Sequence, residues 1–234
     1  MSKRNKILIV LTSVSRMNTQ GESTGFWLSE LTHPYYAITD NNIQVDIVSI
    51  SGGKAPVDPK SIDMTDPLNK RFMDTPHLAA SLEDTERLAD KDTSHYSGII
   101  FAGGHGTMWD FPEGRGVQNK AAEIYEGGGV VAAICHGPAA LLNIILKDGT
   151  YLIAGKKVAA FTNKEEDAVG LSDLVPFSLQ DSLCERGCSY IETDPWTVNV
   201  QSDNRLVTGQ NPQSAYKVAE VVSKLLLDDE KTRL

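Results

Sequence analysis

Residues 127–142 read GGGVVAAICHGPAALL, and this stretch limits the possible folds more than any other. Val130 to Ile134 is a short run of β-branched and small apolar residues closed upstream by three glycines, as expected of a parallel strand covered on both faces. Gly137-Pro138 followed by Ala139-Ala140-Leu141-Leu142 places proline in a first helical turn with good helix formers behind it. Cys135 therefore falls at a strand-to-helix turn. Ala133-Ile134-Cys135-His136-Gly137 matches the small-x-nucleophile-x-Gly pattern of a nucleophile elbow, with cysteine in the place usually taken by serine.

The same alternation extends along the chain. Lys6 to Leu11, Gln44 to Ile50, Tyr96 to Phe101, Val130 to Ile134 and Lys157 to Phe161 read as strands. Helical patterns fall at Thr24 to Thr39, with Pro34 expected to kink or divide it, and at Pro76 to Ala89, Gly116 to Tyr125 and Pro138 to Leu146. A polar helical stretch near Pro176 to Arg186, short strands at Ser189 to Ile191, Thr197 to Gln201 and Arg205 to Thr208, and an amphipathic helix from Pro212 to Leu227 complete the series. Ser51 to Pro67, rich in Gly, Pro and Asp, reads as a loop. This order predicts an α/β fold, a doubly wound, mostly parallel sheet with helices on both faces, whose reactive groups gather beyond the carboxyl ends of the strands. No proline- or serine-rich linker divides the 234 residues, so a single domain over 1–234 is expected.

Charge and cysteine usage remove several classes of function. The net charge of -9 opposes nucleic acid or anionic membrane as the main partner. The leader-like start MSKRNKILIVLTSV has too short an apolar run for a signal sequence and reads better as a first buried strand. Cys184 and Cys188 are spaced C-x3-C with no second pair, which gives neither a disulfide framework nor a zinc site. No metal is predicted, and a reducing cytoplasmic location is expected.

The candidate site is assembled from strand ends. At a helix N-terminus the dipole and free N–H groups would bring a cysteine pKa to roughly 3.5–7.5, which makes Cys135 the candidate nucleophile rather than a plain core thiol. His136 is the candidate base, and it needs a carboxylate to fix its tautomer. Glu165, Glu166 and Asp167 follow the strand Lys157 to Phe161 and compete for that role, and spacing does not separate them. Gly103-Gly104 leaves another strand, and the N–H of Gly104 with that of His136 could form an oxyanion hole, although an ordinary glycine turn fits as well. Glu30 lies in the apolar stretch GFWLSELTHP; the pattern favours a wet stripe beside Ser29, while an inward carboxyl would have a raised pKa and serve as acid or base.

Taken together, AAICHGPAALL, AGGHGTMWDFP, TGFWLSELTHP, FTNKEE and RLVTGQNPQSA resemble the ThiJ/PfpI family of the class I glutamine amidotransferase-like superfamily, most closely its glyoxalase III subgroup of small stress-induced, chaperone-like proteins. The resemblance runs over nearly the whole chain. It implies a flavodoxin-like fold, a cytoplasmic homodimer, and conversion of methylglyoxal and related 2-oxoaldehydes to 2-hydroxy acids with no organic cofactor, glutathione or metal. It also implies Cys135 as nucleophile with His136 beside it, Glu166 as acidic partner, with Glu165 the other possibility, Glu30 as a buried glutamate next to the thiol, and Gly104 as the oxyanion glycine. Two rival functions share these residues. One is a holding chaperone for unfolded client proteins with Cys135 as redox sensor, and the other is a cysteine peptidase or amidase.

Overall fold

The computed structural model describes residues 6–17 and 21–232. Strand β1 (Lys6–Leu11) leads to helix α1 (Leu28–Thr39), β2 (Gln44–Ser49), α2 (Pro67–Met73), α3 (Pro76–Ser81), β3 (Glu86–Arg87), β4 (Gly98–Phe101), α4 (Thr107–Asp110), α5 (Arg115–Glu126) and β5 (Val130–Ile134). Then come β6 (Lys157–Val158), α6 (Asn163–Val169), α7 (Leu179–Glu185), β7 (Ser189–Tyr190), β8 (Val200–Asp203), β9 (Leu206–Gly209) and α8 (Ala215–Thr232). The main sheet has the order β3-β2-β1-β4-β5-β9-β8, parallel except for the β8–β9 pair, and β6 with β7 forms a small second ribbon. Strand order reverses between β1 and β4, the switch point at which a sheet of this kind opens a crevice.

Why these runs form central strands follows from their two buried faces. In β1, Ile7, Ile9 and Leu11 enter the layer with Leu31, Ile38, Val218 and Val222, while Leu8 and Val10 enter the layer with Val117, Ala121, Ile124 and Leu183. Each central strand is therefore apolar at successive positions, because helices cover both sides. The wound, mostly parallel sheet agrees with the sequence expectation.

Four local expectations are corrected. The helix expected from Thr24 starts only at Leu28, because Phe26 is held in extended backbone by Pro56 and Asp58, and it then runs through Pro34 without dividing. The helix expected over Pro76 to Ala89 ends at Ser81, since the Thr85 hydroxyl bonds Ser49 Oγ and the Gly53 carbonyl and draws the chain into the sheet edge as β3. The stretch from Pro138 contains only a 3-10 turn, Gly137–Leu141. Of the strand expected over Lys157 to Phe161, only the first two residues pair, and Phe161 instead donates its N–H to the Cys135 carbonyl at 2.9 Å.

Candidate active site

Cys135 occupies the elbow that its neighbours require. Its φ is +58°, a left-handed conformation costing roughly 1–3 kcal/mol for a residue with a side chain. The strain is held from both sides, by the Cys135 N–H on the Gly209 carbonyl and by Phe161 on the Cys135 carbonyl, each at 2.9 Å. Glycine is obligatory at 137, because a Cβ there would stand 2.2 Å from the Phe101 carbonyl oxygen. The next strand end packs against this elbow: Gly104 (φ +101°) leaves no room for a Cβ beside the Gly25 carbonyl, and the Thr107 hydroxyl bridges the carbonyls of Gly104 and His136.

The buried acid of the imidazole is Glu166. His136 Nε2 lies 2.7 Å from Glu166 Oε2, and His136 Nδ1 lies 3.4 Å from Cys135 Sγ. Burial works to raise the Glu166 pKa, but hydrogen bonds from His105 and His136 outweigh it and hold the carboxyl at about 2. Burial and the neighbouring His105 bring His136 down to about 4, so the ring is neutral near pH 7. An anionic acceptor fixes the proton on Nε2 and leaves the Nδ1 lone pair facing sulfur.

Glu165 is equally buried but has other work. Its Oε2 accepts from the N–H and hydroxyl of Thr162, while the Thr162 hydroxyl accepts from the Glu165 N–H, a complete capping box at the start of α6. Its Oε1 accepts from Trp196 N–H and Asn211 Nδ2 at 2.9 Å each. The cap turns Glu165 towards the helix start, and Glu166, about 100° further round the helix, faces the histidines. Asp167 is exposed and bonds Ser172, away from the pocket.

Glu30 is fully buried, against the wet stripe that its pattern favoured. Oε2 accepts the Gly103 N–H at 2.7 Å. Oε1 is satisfied by no N–H or O–H group, and the ionisable group on which the carboxyl acts is the Cys135 thiol. Burial pushes Glu30 up to about 8, so it carries its proton at neutral pH. The expected low-pKa thiol is also corrected. Burial first, and then Glu30, drive Cys135 well above the ordinary thiol value, with the His136 N–H as a smaller opposing influence. Five residues of 3-10 turn supply too few aligned peptide dipoles to overcome desolvation. The thiol therefore keeps its proton at neutral pH, with His136 Nδ1 3.4 Å from the sulfur as an acceptor.

Cys135, His136, Gly104, His105, Trp27, Phe161 and Trp196 line one cavity of about 430 Å³. Glu30 is behind its wall, and Glu166 reaches it through the two imidazoles. Sequence reasoning named the Gly-Gly-His-Gly turn but gave His105 no role. Its Nε2 lies 2.7 Å from Glu166 Oε1, and its ring centre is 4.1 Å from that of His136. Phe161, 4.4 Å from His136 between ring centres, and Trp196 behind it form an aromatic wall that was also missed. Among the described residues, His105, His136 and Glu166 are the group whose donor atoms lie close enough to hold a metal ion, within 4.8 Å of one another. They are already satisfied by hydrogen bonds to one another at 2.7 Å.

The model of the DJ-1/PfpI family matches residues 23–225. The chain belongs to the DJ-1/PfpI family. It is 34% identical to the glutathione-independent glyoxalase HSP31 of Saccharomyces cerevisiae over 92% of this chain and 94% of that protein. The crystal structure of glyoxalase III from Candida albicans superposes with a TM-score of 0.87 at 32% identity, covering 94% of this chain and 96% of that one. The Rapid Encystment Protein 24 kDa of Francisella tularensis superposes with a TM-score of 0.92 at 47% identity, over 94% and 98% of the two chains. As the resemblance to this family implied, the fold is the flavodoxin-like one of its members. Among the described residues no helix is long and apolar enough to cross a membrane.

Proposed function

We propose that this protein is a cofactor-independent, glutathione-independent glyoxalase that converts methylglyoxal and related 2-oxoaldehydes to 2-hydroxy acids. The observation that carries the reading is a thiol and imidazole set with two buried carboxyls of opposite state: Glu166, ionised and bonded to the imidazole, and Glu30, protonated and meeting the Gly103 N–H and the Cys135 thiol. Relatives named glutathione-independent glyoxalases cover nearly the whole chain and support the same chemistry.

In this mechanism Cys135 Sγ adds to the aldehyde carbon while His136 Nδ1 takes the thiol proton. The oxygen of the hemithioacetal is received by the N–H groups of Gly104 and His136. Glu30 gives its proton to the ketone oxygen, takes the proton from the aldehyde carbon to form an enediol, and returns it to the neighbouring carbon; the proton first taken from the thiol then passes from His136 to restore Glu30, which leaves a thioester of the 2-hydroxy acid and a neutral imidazole. Water then releases the acid and restores the thiol. An amidase needs the thiol, the imidazole and Glu166 but no carbon-to-carbon proton movement, so the buried Glu30 favours the glyoxalase. A homodimer in the cytoplasm belongs to the same proposal on the strength of the family resemblance, and a holding chaperone for unfolded clients remains its rival. The test is methylglyoxal given to the purified protein without glutathione, with lactate read by stereospecific dehydrogenases. Lactate that disappears in Cys135→Ala supports the reading, and its absence from the intact protein refutes it.

A further inference from the structure

The turn after β4 brings a second imidazole beside His136 and into the cavity that Cys135 lines, and the steps above leave it idle. We propose that His105 is the general base that activates the water releasing the product, an assignment that rests on the glyoxalase reading and gives its last step a residue. The geometry divides the two rings. His136 is 1% exposed and its Nδ1 points at sulfur, the atom that leaves when the thioester opens. His105 is 7% exposed, lines the cavity, and its Nδ1 takes no hydrogen bond from any described residue. Its Nε2 donates to the same ionised carboxylate, so His105 holds the tautomer in which Nδ1 is an acceptor open to the cavity, the state a base must have.

One carboxylate with two imidazoles also sets an order of use. The rings are 4.1 Å apart, and a proton on one opposes a proton on the other. In this scheme His136 takes the proton of capture and His105 the proton of release. In release, the water oxygen forms a bond to the thioester carbonyl carbon and a water proton passes to His105 Nδ1. The carbon–sulfur bond then breaks with its electron pair going to Cys135 Sγ. The proton on His105 returns to that thiolate through cavity water, which leaves the 2-hydroxy acid, a thiol and a neutral imidazole. No oxidant, reductant or further reactant is consumed.

The experiment gives methylglyoxal to the wild type, His105→Asn and His105→Gln, and follows the Cys135 adduct by intact mass, deuterium at the carbon next to the carboxyl, and lactate. Hydroxylamine is added to intercept a thioester as its hydroxamate. Both variants are expected to capture aldehyde and incorporate deuterium as the wild type does, to lose about 100-fold in lactate turnover, and to accumulate an adduct that hydroxylamine releases. Wild-type turnover in either variant overturns the assignment. So does slow capture without thioester accumulation, which would mean that His105 only steadies Glu166. If the wild type itself forms neither adduct nor lactate, the glyoxalase reading fails in that arm, and the failure is separate from any result on His105.

Discussion

The first turns of α1 and α6 each send a glutamate into the site, one to the thiol and one to the imidazoles, and the two carboxyls end in opposite states. Glu166 meets two imidazole N–H groups at 2.7 Å and stays ionised down to about pH 2. Glu30 meets one peptide N–H and the Cys135 thiol, a weaker donor, and holds its proton up to about pH 8. The same side chain thus becomes a permanent anion or a proton carrier according to the number of donors around it. The anion fixes a tautomer without touching substrate, whereas the proton carrier is useful only beside the reacting carbon.

The comparison breaks most visibly at Glu30. Glu30→Gln keeps an acceptor for the Gly103 N–H but cannot exchange a proton, so lactate formation should fall on the order of 10⁴-fold while hemithioacetal capture, trapped with borohydride, continues. Near wild-type lactate output from this variant would remove Glu30 from the mechanism. In Glu166→Gln capture itself should slow, by about 10²- to 10³-fold, because the imidazole loses its fixed tautomer. Glu165→Gln should change turnover only a few-fold and instead cost ~1–3 kcal/mol of stability, seen as a lower Tm, because one oxygen, and with it two of the four acceptor contacts, is lost. Equal rate losses at 165 and 166 would cancel the distinction between cap and acid.

Stability against pH should separate the two carboxyls by sign. The folded pKa of Glu30 is raised from 4.5 to about 8, so the fold binds the extra proton and loses stability as pH rises across that interval. Glu30→Gln should therefore gain in Tm relative to wild type between about pH 5 and 8. Glu166 is lowered from 4.5 to about 2, so its contribution is present above pH 4.5 and is lost as pH falls towards 2. The Tm deficit of Glu166→Gln should be full at neutral pH and shrink in acid. Thermal melts of the three proteins across this range read both slopes, and slopes of one sign would contradict the assignment.

Much of this site was legible in the sequence because it rests on local patterns. The apolar run ending in Ala133-Ile134-Cys135-His136-Gly137 located the elbow, and the strand ends located the crevice. The choice between Glu165 and Glu166 stayed open in the sequence, although a signal was present and unused: Thr162-Asn163-Lys164-Glu165 has the spacing of a capping box, and the structure shows that this cap holds Glu165 and leaves Glu166 free. Three things were hidden because they depend on tertiary contact. His105 gains its role only when β4 and β5 pair and bring two turns together. The burial of Glu30 depends on the close approach of its helix to Gly103. The thiol pKa was misjudged because the length of the helix after Cys135 and the depth of the sulfur are set by packing, not by the Gly-Pro signal.

The opposite states of the two carboxyls can be read directly by infrared spectroscopy of protein labelled with ¹³C-glutamate, compared with Glu30→Gln and Glu166→Gln. A protonated carboxyl band is expected at neutral pH that is absent from Glu30→Gln and fades as pH passes about 8, with no such band from Glu166 until well below pH 4. A neutral-pH spectrum with no protonated carboxyl, or one whose band disappears in Glu166→Gln instead, would contradict these opposite states.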